Sequence, residues 1–484
     1  MKKIFFIVAF ASITLSSCSD DITDANVDSK SPTTTKPEFL FTNAQKTLID
    51  QMVSTSVNQN VFRLFSQYWT ETTYPDESQY DITTRTIPDF HFRTLYRDVL
   101  RDLKETKSLL DKENAATPSE LIVLNNKKAI VDILSAYAYS VLVDTFGNVP
   151  YSQALNIEIY PNPKYDDAKT IYKDLIARLT ADSALLTSST NSFGDADLVY
   201  SGNTSNWKKF ANSLRLRLAI NIDDVDHAYA TAQITSAVAA GLISSNSENT
   251  DLNYLSLQPN ANPLYADLVV SGRNDFIPAN TIVNKMNTLL DPRRSKFFNF
   301  KSGTTTYIGG IYGSSNGFAN FSHINDILAD PTFAGTIFDY AEVEFLLAEA
   351  VERGITVGGT AQSHYNSAIT ASMLDWGVLA SDITIYLAQP NVAYTTAVGT
   401  WKQKIGEQAW IGLYNRGFEA WTSYRRLDFP ALAVPTTTYN NLTVVPKRYS
   451  YPSNEQTLNS ANVSAASSAI GGNTLSNKIF WDIN

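Results

Sequence analysis

Residues 338–377 read FDYAEVEFLLAEAVERGITVGGTAQSHYNSAITASMLDWG, and this stretch decides the fold class. The first predicted helix runs from Phe338 to Arg353 and stops at Gly354; the second runs from about Ala361 to Trp376 and stops at Gly377. Glycine just past a helix end is a natural stop, because it enters left-handed backbone without Cβ strain. Two helices of this length joined by a short glycine-containing link make a helical hairpin.

Working outward, the same signal recurs. Phe92, Leu95, Tyr96, Val99, Leu100 and Leu103 form the i, i+3, i+4, i+7 stripe of an amphipathic helix. Residues 121–143 repeat it through Ile130, Ile133, Leu134, Tyr137 and Val141, and Gly147 and Pro150 end it. Further stripes start at Ala168, with Asp166 or Asp167 placed as the cap, and at Trp207. Ala228 to Ala240 is another helix, stopped by Gly241, and Trp401 to Leu427 adds one or two more. Stacked hairpins of this kind resemble tetratricopeptide packing, although no clean 34-residue signature is present. Long loops rich in Gly, Ser, Thr, Asn and Tyr separate the helices at about 68–90, 244–278, 300–335 and 430–478. Short strands are expected at Thr304–Gly310 and Leu442–Pro446. The predicted architecture is mainly α, a helical-hairpin scaffold carrying a loop-rich ligand-binding face, with no composition break inside residues 37–484.

Composition narrows the partners. The chain has 484 residues, 44% of them apolar, and a formal charge of −10. A net acidic chain with no Lys/Arg cluster argues against nucleic acid, whose phosphates need clustered cations. Cys18 is the only cysteine, which excludes a disulfide within the chain.

The amino end sets an expected location. Met1-Lys2-Lys3 is followed by an apolar run from Ile4 to Leu15, too short for a bilayer that needs about 20 residues. Leu15-Ser16-Ser17-Cys18 resembles the lipobox of bacterial lipoproteins, which implies a signal peptide over residues 1–17 and acylation of Cys18. Ser19-Asp20-Asp21 looks like the acidic tag that Bacteroidetes lipoproteins carry for export to the outer leaflet. Residues 18–36 read as a flexible tether and residues 37–484 as the body.

Four motifs spread over that body resemble the SusD/RagB family. They are Asp144-Thr-Phe-Gly147-Asn-Val-Pro150-Tyr151, the doubled acidic–Ala helix Tyr340–Ala350, the W-x-x-x-R-R segment Trp421–Arg426, and Pro446-x-Arg448-x-x-Tyr451-Pro452-x-x-Glu455. Phe480-Trp481-Asp482 also fits. The resemblance implies a non-catalytic lipoprotein that binds glycans or peptides at the cell surface. It also implies a position as a lid over a SusC-like, TonB-dependent outer-membrane barrel. Within the motifs, Glu342 and Glu349 are expected to pair with buried arginines such as Arg425 or Arg426, since charges near a core are kept when paired.

No catalytic constellation stands out. Gly313-Ser-Ser-Asn-Gly317 matches G-x-S-x-G by letter but lacks the strand and helix of a nucleophile elbow. His91, His227, His323 and His364 include no i, i+4 pair. The cluster Asp223-Asp224-x-Asp226-His227 lacks calcium-loop spacing and reads as a solvated helix end. No cofactor and no metal is expected. The ligand-contact candidates are Tyr68, Trp69, Tyr74, Tyr80 and Arg85 on the first loop, and Tyr307, Tyr312 and Asn316 on a second. Aromatic rings offer flat apolar faces to sugars or peptide side chains while Arg and Asn fix orientation. A lipid-anchored hydrolase and a purely structural helical-repeat adaptor are the competing readings.

Overall fold

A computed structural model describes residues 35–187 and 191–483. The expected signal peptide, Cys18 and all but the last residues of the expected tether lie outside the described residues. The body, Pro37–Asn484, forms a compact unit.

The hairpin that opened the sequence argument is present. Helix Tyr340–Glu352 is capped by Asp339, which accepts from Glu342 N at 2.7 Å, and ends before Gly354 at φ 81°. Thr360 caps Ala361–Asp375, which ends before Gly377 at φ 66°. Trp401–Gly412 packs on both helices, and Gly417–Leu427 packs on it in turn. Two glycines permit close packing here, Gly412 against the hairpin and Gly417 against the short helix Phe62–Phe65. A Cβ on Gly412 would lie 2.8 Å from Phe345 Cε2, and one on Gly417 would lie 2.5 Å from Arg63 N.

A second run of helices follows the same logic: Pro118–Phe146, Ala168–Leu185, Thr204–Ile222 and His227–Ala240, each packed on the next. Thr117 opens the first with a capping box, and Asp167 caps the second. By length and hydropathy Pro118–Phe146 could cross a membrane, yet 89% of its most apolar window is buried inside this body. It is the spine of the core.

Several elements differ from expectation. The helix expected from Phe92 begins at Ile87, passes through a π segment at Thr94–Leu100, and ends at Lys112. Helices Pro37–Val53, Asn280–Thr288, Ala380–Leu387 and Ser460–Ala469 carry no stripe read above. Residues 304–310 and 442–446 form no named strand; Gly310 makes only a single bridge to Ala279. Instead there are three antiparallel two-stranded pairs: Trp69–Glu71 with Phe276–Pro278, Val149–Pro150 with Tyr165–Asp166, and Thr250–Leu252 with Gly335–Phe338. Strands of two to four residues are too short for an alternating pattern, and the first pair joins segments about 200 residues apart.

The motif charges are buried in networks. Glu349 pairs with Arg426 at 3.0 Å, as expected, and with Arg353 at 2.9 Å. Glu342 pairs instead with Arg217 at 2.6 Å and Arg416 at 2.5 Å. Arg425 meets no glutamate there. It donates to the carbonyls of Asp144 and Lys447 and lies 3.5 Å from the Trp421 ring centre. Arg217 reaches Glu342 from Thr204–Ile222 and Arg416 from the residue just before Gly417–Leu427. The 223–227 cluster is also more than a solvated helix end: Arg353 bridges Asp223 and Asp224, and Asp226 caps His227–Ala240 while pairing with Lys173.

Candidate binding face

The strand Trp69–Glu71 carries the first loop, and the loop's frame is aromatic. Tyr68 and Trp69 are fully buried. The Tyr68 hydroxyl donates to the Trp410 carbonyl; Trp69 Nε1 donates to the Tyr414 hydroxyl at 2.9 Å, with Arg63 5.2 Å from its ring. Tyr80 is equally buried, edge-on to Phe65. Tyr312 donates to the Leu64 carbonyl at 2.7 Å, and the Asn316 amide group donates to the carbonyls of Glu71 and Ser314. These five expected ligand contacts are corrected to scaffold positions. Their rings and amide are consumed by core packing and buried hydrogen bonds, and Gly313–Gly317 is the turn that clamps the strand.

Three expected contacts remain accessible. Tyr74 is 62% exposed and precedes Pro75. Arg85 is partly exposed and pairs with the buried Glu77. Tyr307 is half-buried, its ring on Phe300 at 4.6 Å and Arg294 at 5.7 Å.

The loop that carries Tyr74 also holds a buried carboxyl pair, Glu71 and Glu77. Burial, reinforced by the neighbouring Glu77 carboxyl, pushes Glu71 up to about 9, so it is protonated at neutral pH and donates to Glu77. Ser78 N and Oγ both donate to Glu71 Oε2 at 2.9 Å. A shared proton and the Arg85 ion pair therefore hold the 71–85 loop to its strand.

The sequence reading missed the groups that the fold places beside Tyr74. Thr72 N and Oγ1 donate to the carbonyls of Asp275 and Asn274 at 2.9 and 2.6 Å, which docks residues 271–275 against the loop. There Arg273 pairs with Asp275 at 2.7 Å in the open. A cleft of about 180 Å³ follows, lined by Val269, Arg273, Phe276, Phe318, His323 and Asp326. Phe318 and His323 are stacked, ring centres 3.9 Å apart. No local signal marks these residues, because three separate loops supply them.

Another cleft, of about 300 Å³, lies between the end of Pro37–Val53 and the 340–375 hairpin, with Asp251, Asp339, Arg416, Glu419 and Trp376 in its wall. Much of its polar wall is already engaged: Asp339 pairs with Arg416 at 2.8 Å, and Thr336 donates to Asp251 at 2.6 Å. Burial pushes Asp251 up to about 6. Among the described residues no group of three His, Cys, Asp or Glu is placed to hold a metal.

Known proteins resemble this chain in sequence and fold. A solved chitin-binding protein shares 26% identity and superposes with a TM-score of 0.79, over 93% of this chain and 100% of its own. A SusD homologue from Bacteroides uniformis shares 27% identity with a TM-score of 0.77, over 92% and 100%. A chitin-binding SusD homologue from Flavobacterium johnsoniae has the same fold at 24% identity, TM-score 0.78, over 92% and 99%. No curated protein sequence matches the chain. A family profile described as starch-binding and associating with the outer membrane matches residues 29–452, and the chain belongs to that SusD-like family.

Proposed function

We propose that this protein is a cell-surface lipoprotein that captures a glycan and delivers it to a SusC-like, TonB-dependent outer-membrane transporter without chemically altering it. Family membership supports glycan binding at the outer membrane. Two of the similar solved structures are of chitin-binding proteins. The observation that carries the reading is the accessible face itself: an exposed Tyr74 ring near the paired Arg273–Asp275, whose cleft also holds the stacked Phe318–His323. Flat apolar rings with a few fixed polar groups suit the alternating CH and hydroxyl faces of sugars. Tyr74, Arg85 and Tyr307 are the proposed contacts retained from the sequence; Arg273, Asp275, Phe318 and His323 are added.

Membrane attachment through Cys18 is part of the proposal. Several acyl chains on one cysteine hold a protein stably, whereas one chain holds it only marginally, at about 0.8 kcal/mol per buried CH₂. Cys18→Ala should therefore move the protein from the membrane to the soluble fraction without lowering its melting temperature. Continued membrane association of that variant in fractionated cells would remove the anchor from the account. Glycan hydrolysis by the purified protein would remove its non-catalytic part.

A further inference from the structure

The 72–86 loop has a second edge, and another groove lies there. It encloses about 410 Å³ between the 439–443 turn, Ser450 and residues 473–476, with Thr83 of the loop in its wall. No side chain lining it carries a charge: amides, hydroxyls, one tyrosine and two leucines make the whole surface. The residues that matter are Tyr439, Asn440, Asn441, Thr443, Asn473 and Thr474.

The groove is built rather than incidental. Asn440 and Asn441 both hold left-handed backbone, φ 53° and 54°, which is uncommon outside glycine. Thr438 Oγ1 locks that turn by donating to the Leu442 carbonyl at 2.8 Å. Asn473 is fixed from behind, its Oδ1 accepting from Arg448 Nη1 at 3.1 Å and Tyr451 N at 2.7 Å. Its Nδ2 has no acceptor among the described residues and is left for a ligand. The Tyr439 ring is half-exposed.

That chemistry selects its ligand. A cationic group entering here would lose water and find no carboxylate among the lining side chains. Hydroxyl groups lose nothing comparable, since amide and hydroxyl side chains both donate and accept. Tyr439 and the leucines supply the apolar floor that a sugar ring needs. Hydrogen bonds tie the groove's wall to the loop that carries Tyr74. Tyr439 N donates to the Gln79 carbonyl at 2.7 Å, and Gln79 Nε2 donates to the Gly313 carbonyl at 2.8 Å. Asn316 N in the same turn donates to the Thr72 carbonyl at 2.6 Å.

We propose that this groove is a second subsite for uncharged sugar units, so that one glycan chain is gripped on both edges of the 72–86 loop. The inference rests on the glycan reading above and assigns it a second contact. Two linked contacts raise affinity for long chains over short ones by effective concentration alone.

The test is calorimetry of the full-length protein in detergent, with chitohexaose and maltoheptaose as long probes. Two variants are compared with wild type. Tyr439→Ala removes the aromatic floor, and Thr443→Trp fills the groove from an exposed position that leaves the core untouched. Each should weaken the long probe that wild type binds by about tenfold or more, with unchanged melting temperature for Thr443→Trp. Wild-type affinity in Thr443→Trp would overturn the second subsite while leaving the glycan reading intact. Failure of the wild type itself to bind either probe or any other neutral glycan would overturn both.

Discussion

Trp69 and Tyr74 stand five residues apart, and sequence alone gives them the same appearance: aromatic, flanked by polar groups, on one loop. Their surroundings separate them. Trp69 is fully buried, hydrogen-bonded to Tyr414 and covered by Arg63, whereas Tyr74 is 62% exposed. Trp69→Ala should destabilise the protein by about 3–5 kcal/mol in chemical denaturation, because it leaves a large cavity. Tyr74→Ala should change stability by less than about 0.5 kcal/mol. Equal stabilities for the two variants would contradict this assignment. Glu71 offers a second residue-scale test. Its folded pKa, about 9, lies above the unfolded carboxyl value of 4.5, so its contribution is complete below the unfolded value and is lost as pH rises towards 9. Glu71→Gln keeps the acceptor for Ser78 and supplies the donor to Glu77 without a titrating proton. Its stability should rise relative to wild type between pH 5 and 9, with a slope on the order of 1 kcal/mol per pH unit. Parallel curves would show that no proton is held there.

Helices were legible where one local rule sufficed. The stripes at 92–103, 130–141 and 168–179 and the stops at Gly241, Gly354 and Gly377 each act within a few residues, and the helices formed there. Elements defined by distant partners were not legible. Trp69–Glu71 is a strand because Phe276–Pro278 offers it hydrogen bonds, and Pro37–Val53 belongs to the body through packing that spans the chain. His91 shows how such elements are joined. Its Nδ1 lies 3.0 Å from Gln51 Nε2 on Pro37–Val53, and its Nε2 lies 3.5 Å from Thr145 Oγ1 on Pro118–Phe146. Burial lowers its pKa from 6.5 to about 3, so the folded protein keeps the ring neutral while the unfolded chain protonates it. Stability from this site is complete above pH 6.5 and lost as pH falls towards 3. Replacing the ring by glutamine, His91→Gln, should remove that dependence, flattening stability against pH between 6.5 and 4 by about 1.4 kcal/mol per unit. An unchanged acid slope would place a charged or solvated histidine at this junction.

At the scale of the molecule, the order of four motifs was enough to suggest the family, and the family profile over residues 29–452 agrees. The binding face was legible only in part. The aromatic candidates of the first loop separate only in the fold: Tyr74 is exposed, whereas Tyr68, Trp69 and Tyr80 lie in the core. Arg273 and Phe318 meet in one cleft although they lie 45 residues apart in sequence, so no short window of sequence shows them together. The central claim, capture of a glycan on this face, is tested most directly by calorimetry of wild type and Tyr74→Ala against neutral polysaccharides, oligosaccharides and peptides. The account predicts that wild type binds a glycan without turnover and that Tyr74→Ala, folded and equally stable, binds it about tenfold more weakly, a loss of about 1.4 kcal/mol. Glycan binding that is identical in the variant, or binding of peptides alone, would contradict it.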